Sequence, residues 1–304
     1  MKLFVLIYCF TIHILHSKNL QIPINIDDLL NYKSSSIRAE FPPPIDYYDN
    51  SIWILDAINT KIKSLNKDKK DINLKKFKKS FPVDDFKIMS YGKIFLMSKQ
   101  LTSLALFDIY SKKLKILSKK SAKNDMFFEM TSLKKRSNQV FVSDLVSGYI
   151  RIFSEHGYFL GSLQSFSHDF LPFSATEAIT LHSEGNISSL GWTALSGGKK
   201  VFYSQEKTKK DEFISLSFAG IDSSKNVYVQ KIYGTIHGLA KLAVQKISPD
   251  GSLVFEKKVN MSLFEYQEFQ RFFFIKPDGS MFQFKYVESS NSLVLKELGM
   301  AIKS

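Results

Sequence analysis

Two aspartates at matched positions are the acidic residues most suggestive of a site. Asp56 and Asp144 each lie six residues before an isoleucine, in the segments DAINTKI and DLVSGYI. The isoleucine opens a β-prone segment, so each carboxylate falls at a turn between strands, where it can accept backbone N–H bonds. We therefore predict that both aspartates have a structural role.

The histidines and serines form no recognisable catalytic or metal-binding motif. His156, His168, His182 and His237 follow the N-terminal segment, and no two are spaced to place both imidazoles on one element. Neither a Gly-x-Ser-x-Gly elbow nor a phosphate-binding glycine loop is present. The sequence indicates no catalytic residue, cofactor or metal site, although ligands from separate strands could still converge on one ion.

Lysine dominates the charge of the chain. There are 42 basic and 29 acidic residues, for a net charge of +13, but only four arginines. Bidentate recognition of phosphate or guanine favours arginine. A solvated lysine surface therefore explains the net positive charge better than specific nucleic-acid binding does. Seven lysines lie between residues 67 and 79, including Lys75, Lys76, Lys78 and Lys79. These lysines predict that the loop makes weak contact with an anionic surface. The alternative is that the loop is only a solvated connection.

Residues 1–17 have the features of a signal peptide. MKLFVLIYCFTIHILHS contains an early lysine, an apolar stretch and a small residue at Ser17. The stretch is shorter than the roughly 20 apolar residues of a membrane span. We predict cleavage near Ser17, export to the periplasm, cell surface or medium, and no transmembrane span in the mature chain. Because Tyr8 is bulky where lipoprotein processing needs a small residue, we expect no lipid anchor at Cys9.

Turns followed by β-prone triplets recur along the chain. Asp, Asn and Gly tolerate the backbone of tight hairpins, and β-branched and aromatic residues fit the strands that follow. The segments IDYYDNSIWI and IDSSKNVYV are nearly superimposable. The triplets begin at residues 52, 94, 140, 187, 227 and 281, with spacings of 42, 46, 47, 40 and 54 residues. This period is typical of a four-stranded propeller blade.

These repeats resemble the NHL repeat, in which an aspartate follows the second strand of a blade and a basic residue precedes the third. Asp56 and Asp144 match the aspartate of the NHL repeat. Lys61 matches the basic residue in the first repeat, whereas the third repeat has Tyr149 at that position. The degenerate second, fourth and sixth repeats have Ser98, Trp192 and Lys285 near the aspartate position. The resemblance covers about residues 38–298 and implies an all-β, six-bladed β-propeller with four-stranded antiparallel blades, in one domain over residues 18–304.

The two ends of the chain predict how the ring closes. The last repeat offers strands at 272–276, 281–287 and 293–298 and lacks a fourth, whereas residues 20–26 alternate as in a half-buried strand. We predict that this N-terminal strand completes the last blade, which removes an exposed sheet edge. Two stacked β-domains or a sandwich, and rings of five or seven blades, remain alternatives.

The function predicted is that of an exported, non-enzymatic binding or scaffold propeller with a protein partner. Trp192, near the polar run 204–212, is a candidate rim contact, with a core position as the alternative. The second class is a propeller hydrolase of the lactonase or esterase kind, with a divalent ion over the central tunnel. Acidic and asparagine side chains that converge on the tunnel from several blades would favour a hydrolase. A tunnel lined only by apolar or lysine side chains would count against catalysis.

Overall fold

The structure is a computed structural model of the chain. It describes residues 19–25, 42–57, 59–77, 80–118, 127–165, 167, 169–184, 187–195, 199–206, 213–235, 240–262, 265–266 and 270–299. The predicted signal peptide, Cys9, Lys78, Lys79, His168 and His237 lie outside these residues.

The described strands form six sheets of four antiparallel strands. Blade 1 consists of β2 (Ile45–Tyr48), β3 (Ser51–Asp56), β4 (Lys61–Ser64) and β5 (Ile72–Asn73), and blade 2 of β6 (Asp85–Ile88), β7 (Lys93–Ser98), β8 (Ser103–Asp108) and β9 (Lys113–Ser118). Blade 3 consists of β10 (Met130–Arg136), β11 (Gln139–Asp144), β12 (Tyr149–Ser154) and β13 (Phe159–Gln164). Blade 4 consists of β14 (Phe170–Pro172), β15 (Glu177–Glu184), β16 (Ile187–Ala194) and β17 (Lys199–Glu206). Blade 5 consists of β18 (Phe213–Ile221), β19 (Val227–Gly234), β20 (Lys241–Ile247) and β21 (Leu253–Val259), and blade 6 of β22 (Phe273–Ile275), β23 (Met281–Val287), β24 (Ser292–Glu297) and β1 (Asn19–Asn25).

The ring closes as predicted, through the N-terminal strand. β1 pairs antiparallel with β24, with Leu20 opposite Leu295 and Gln21 opposite Val294. Ile22 is only 1% exposed and belongs to the core shared by blades 5, 6 and 1. The all-β, six-bladed propeller predicted from the repeats is therefore confirmed.

Local sequence explains the hairpins, and packing between blades explains the buried strands. Asp49 and Asn50 have φ angles of 49° and 54°, which a two-residue hairpin between β2 and β3 requires. Every residue of β3 is buried, because its sheet is covered on both faces. Separate hydrophobic clusters lie between successive blades and hold the ring together.

Blade 4 differs from the prediction in the strand that its recurring triplet occupies. The turn before Ile187 connects the second and third strands of the blade, not the first and second. The other five triplets, near residues 52, 94, 140, 227 and 281, do fall in second strands. A turn signal identifies a hairpin but not its place within a blade, so this register was open from the sequence.

The ring has two different faces and a central channel. The first strands of successive blades lie next to one another and line the channel. The hairpin face carries the turns between first and second strands and between third and fourth strands. The crossover face carries the connections between blades. Among the described residues, no helix has the length and apolar character needed to cross a membrane.

Candidate functional site

The central channel contains a polar cavity of about 170 Å³ at the crossover face. Its walls come from the innermost strands, from the segments that precede them and, at Gln230, from a second strand. They include Asp85, Thr131, Ser132, Lys134, Asp169, Ser217, Gln230 and Arg271. A second cavity, towards the hairpin face, shares Lys134 and Arg271 and adds Asp46, Lys87 and Lys135. The channel thus carries carboxylates as well as cations. It matches neither of the two linings considered from the sequence, which were converging acidic and asparagine side chains or only apolar and lysine side chains.

Asp46 and Lys135 join the innermost strands of three blades. Oδ2 of Asp46, in blade 1, accepts the backbone N–H of Ile88 in blade 2 at 2.8 Å and the ammonium of Lys135 in blade 3 at 2.7 Å. The same ammonium donates to the carbonyl oxygens of Tyr47 at 3.0 Å and Ile88 at 2.8 Å. Burial lowers the pKa of Lys135, and the charge of Asp46 opposes this effect. All three N–H donors of the ammonium are therefore used within the ring.

The other channel carboxylates have similar partners. Asp169 accepts the backbone N–H of Phe170 and of Phe218 in the next blade, both at 3.0 Å, and lies 3.5 Å from the ammonium of Lys134. Asp85 accepts the ammonium of Lys87 at 3.2 Å. In the part of the chain that the structure describes, no three His, Cys, Asp or Glu side chains are grouped so that they could hold a metal ion. Asp169 thus connects two neighbouring blades, and Asp85 pairs with a lysine of its own strand.

The two matched aspartates lie at the ends of second strands and are fully buried. Asp144 accepts the backbone N–H groups of Phe128 at 2.9 Å and Glu129 at 3.0 Å, ahead of the first strand of its own blade. Asp56 accepts the backbone and side-chain N–H groups of Asn59 and lies 2.7 Å from the ammonium of Lys63. Burial opposes ionisation of Asp56, but these hydrogen bonds outweigh it and lower its pKa.

The predicted contact residues lie apart from the channel. Lys75 and Lys76 are exposed on a 3-10 turn, and the ammonium of Lys76 donates to the carbonyl oxygen of Lys112 on the hairpin face of blade 2. Trp192 is half-buried, with its ring 4.8 Å from that of Phe173 and 5.5 Å from that of Phe202. Its indole N–H is buried and has no hydrogen-bond partner among the described residues.

An apolar arc crosses the outer edge of the hairpin face over blades 3, 4 and 5. Its side chains are exposed although they are large and apolar: Tyr158 (66%), Phe159 (56%), Leu160 (48%), Leu195 (40%), Val201 (54%), Leu253 (47%) and Val254 (55%). Exposed apolar patches that span several elements mark interaction sites more often than single exposed residues do. We define these seven residues as the apolar arc.

Two glycines bring neighbouring blades close together in the region of the arc. A Cβ atom added at Gly161 of β13 would lie 3.3 Å from Leu195 in blade 4. At Gly251 of blade 5, where φ is +92°, an added Cβ would lie 2.0 Å from the carbonyl oxygen of Phe202 in β17. The glycines thus allow close contact between blades 3 and 4 and between blades 4 and 5 at these two points.

Cations flank the arc on the same face. Arg136 and Lys225 line a cavity of about 510 Å³ between the turns of blades 3, 4 and 5. On the other side, Lys112, Lys113 and Lys115 are exposed at the outer edge of blade 2. Leu117, which shares a strand face with Lys115, packs against Gly157 at the turn into β13. The hairpin face therefore combines an apolar surface with a basic border.

The sequence did not point to either the channel network or the arc. A weak signal for the former was present, because Asp46 and Lys87 are charged residues inside otherwise β-prone segments. No comparable signal marked the arc, since its members are separated by up to 96 residues, from 158 to 254, and resemble ordinary core residues.

No known protein family and no curated protein matches the sequence. Solved structures do match the fold. The chain is similar to virginiamycin B lyase from Staphylococcus aureus, with 11% identity over 93% of this chain and 99% of the other, and a TM-score of 0.52. It is also similar to a luciferin-regenerating enzyme, with 10% identity over 94% and 96% of the two chains and a TM-score of 0.54.

A third similar chain comes from a mitotic checkpoint complex, with 11% identity over 92% of this chain and 91% of the other, and a TM-score of 0.50. The similar structures thus include enzymes and a member of a protein assembly. At this level of identity, the likeness shows the propeller fold alone.

Proposed function

We propose that this chain is an exported, non-enzymatic propeller of divergent NHL type that binds a protein partner through its hairpin face. The apolar arc carries the proposal. It exposes seven large apolar side chains on three consecutive blades, and a surface of this kind is favourable to bury against another protein. The partner would be apolar where it meets the arc and acidic where it meets the flanking lysines.

The opposite face is the less suitable surface. Leu101, Val146 and Ile187 are exposed there in three separate blades. Phe128 and Tyr149 are exposed near Val146 at the same end of blade 3, so the largest apolar group on this face lies within one blade, whereas the apolar arc spans three. Singly exposed apolar residues are usual on soluble proteins. These three residues therefore serve as a matched control.

The test is cross-linking in the producing cells with tagged full-length chain, followed by identification of the captured proteins. The arc variant combines Leu195→Ser, Val201→Ser and Val254→Ser; the control variant combines Leu101→Ser, Val146→Ser and Ile187→Ser. We expect one recurrent partner with the wild-type chain and the control, and its loss with the arc variant. Equal capture by the arc variant, or no recurrent partner with the wild-type chain, would contradict the proposal.

Cell fractionation of the same cultures tests the export part. We expect the tagged chain outside the cytoplasm, with its N-terminus near residue 18. A full-length N-terminus in the cytoplasmic fraction would contradict export.

A further inference from the structure

We propose that β13 is a docking strand, to which an extended apolar segment of an acidic partner adds as a fifth strand of blade 3. This inference rests on the proposed function and specifies how the partner binds. Strand addition to an open sheet edge supplies main-chain hydrogen bonds for affinity and side-chain contacts for specificity.

Edge strands normally carry features that oppose pairing with a further strand, such as lysine, proline or a very short length. The outermost strands of the other five blades each have one. β9 contains Lys113 and Lys115, β17 contains Lys200, β21 contains Lys257 and Lys258, β1 contains Pro23, and β5 has only two residues. The sequence of β13, FLGSLQ, has six residues with neither charge nor proline. Among the described strands, β13 is thus the outermost strand with none of these three features, and a β-bulge interrupts its pairing with β12 at Leu160.

The register of β13 shows which backbone groups face outwards. Ser165 donates its N–H to the carbonyl oxygen of Gly148, which makes this pair a hydrogen-bonded one. Because such pairs alternate along an antiparallel ladder, Ser162, opposite Arg151, directs its N–H and C=O away from β12. The open stretch ends at Gln164, whose carbonyl oxygen accepts the hydroxyl of Thr193 at 3.0 Å.

Exposed apolar side chains accompany these open backbone groups. Phe159 and Leu160 begin β13, and the ring of Phe159 lies 5.8 Å from that of Phe153 in an edge-to-face arrangement. This contact holds the exposed ring in place before a partner arrives. Leu195, beside Gly161, extends the apolar surface towards blade 4. An added strand would therefore find apolar contacts beside its hydrogen-bond partners.

The charge around β13 favours an acidic segment. Lys115 is exposed on the face of β9 that carries Leu117, next to the turn into β13, and Lys112 and Lys113 are exposed at the beginning of β9. Carboxylates flanking an apolar extended core would face these ammonium groups, which increases the association rate and opposes cationic partners.

A synthetic peptide provides a defined probe. The fluorescein-labelled peptide Asp-Asp-Val-Thr-Val-Thr-Val-Thr-Val-Asp-Asp is titrated with the full-length protein, and binding is followed by anisotropy. We expect saturable binding that is weakened about tenfold or more by Leu160→Lys and by Ser162→Pro, since proline blocks the open edge. Ile116→Lys, at an exposed position of edge strand β9, is the matched control and should leave binding unchanged. Melting curves establish that each variant is folded.

A second peptide with alternate amides N-methylated separates strand addition from side-chain contact. We expect it not to bind. Absence of saturable binding by the first peptide, or equal binding of either peptide to wild-type and Ser162→Pro protein, would overturn the inference. In the cell experiment, a partner lost with the arc variant but retained with Leu160→Lys would overturn the docking strand and leave the proposed function intact. A partner retained by both variants would contradict both.

Discussion

The ammonium of Lys135 lies 2.7 Å from Oδ2 of Asp46, so that one ion pair joins the innermost strands of blades 3 and 1. Both side chains are largely buried, at 22% and 7% exposure. Lys135→Met would leave the Asp46 carboxylate without its cation and two carbonyl oxygens without their donor. We expect the free energy of unfolding to fall by about 3 kcal/mol, measured by urea unfolding.

The exposed pair Lys69–Asp49 is the control for this prediction, with side chains 35% and 58% exposed. We expect Lys69→Met to change the unfolding free energy by at most about 1 kcal/mol, because water screens exposed charges. Similar effects of Lys135→Met and Lys69→Met would show that the channel pair does not hold the blades together.

The lowered pKa of Asp56 predicts a pH-dependent contribution to stability. Because the folded-state pKa lies below the ordinary value of 3.8, the ionised group stabilises the fold above that value. This contribution is lost as the pH falls through the folded-state pKa. We expect Asp56→Asn to lower the unfolding free energy by about 2 kcal/mol at neutral pH and by much less near the acid limit of folding. An equal loss across the whole pH range would contradict the ion pair with Lys63 as its cause.

Gly251 is required by its backbone conformation and by its neighbour. An alanine there would combine a φ of +92° with a Cβ atom 2.0 Å from the carbonyl oxygen of Phe202. We expect Gly251→Ala to lower the unfolding free energy by about 2 kcal/mol or more, measured by urea unfolding. Gly299→Ala, with no atom of the described residues within 4 Å of the added Cβ, should have little effect. If both variants were equally stable, blades 4 and 5 would not meet at this point.

The basic loop predicts weak, salt-sensitive binding to polyanions. Replacing Lys75, Lys76, Lys78 and Lys79 with glutamine should lower the salt concentration at which the protein elutes from heparin. The control replaces Lys200, Lys241, Lys258 and Lys296, exposed lysines elsewhere on the ring, and causes the same change in net charge. Equal shifts for the two variants would assign heparin binding to net charge and not to this loop.

Much of the architecture follows from short-range sequence signals. Turn residues such as Asp49 and Asn50, followed by a β-prone triplet, mark hairpins because φ preference and strand propensity act over a few residues. Their repetition at blade length predicts the propeller, and the alternation in residues 20–26 predicts the closing strand. The place of Ile187 within blade 4 was not predictable, because the two kinds of hairpin in a blade use the same turn residues.

The arrangement of charges and exposed apolar residues was decided by the tertiary structure. Asp46 and Lys135 are 89 residues apart in sequence and meet only because the ring brings the first strands of three blades to one channel. Phe159 and Val254 look like core residues in the sequence, and their exposure depends on their place in outermost strands with no further neighbour. The sequence by itself thus determined the hairpins, the blade repeat and the closing strand, through local backbone preferences. Closure of the ring determined which polar groups pair in the channel and which apolar side chains remain available to a partner.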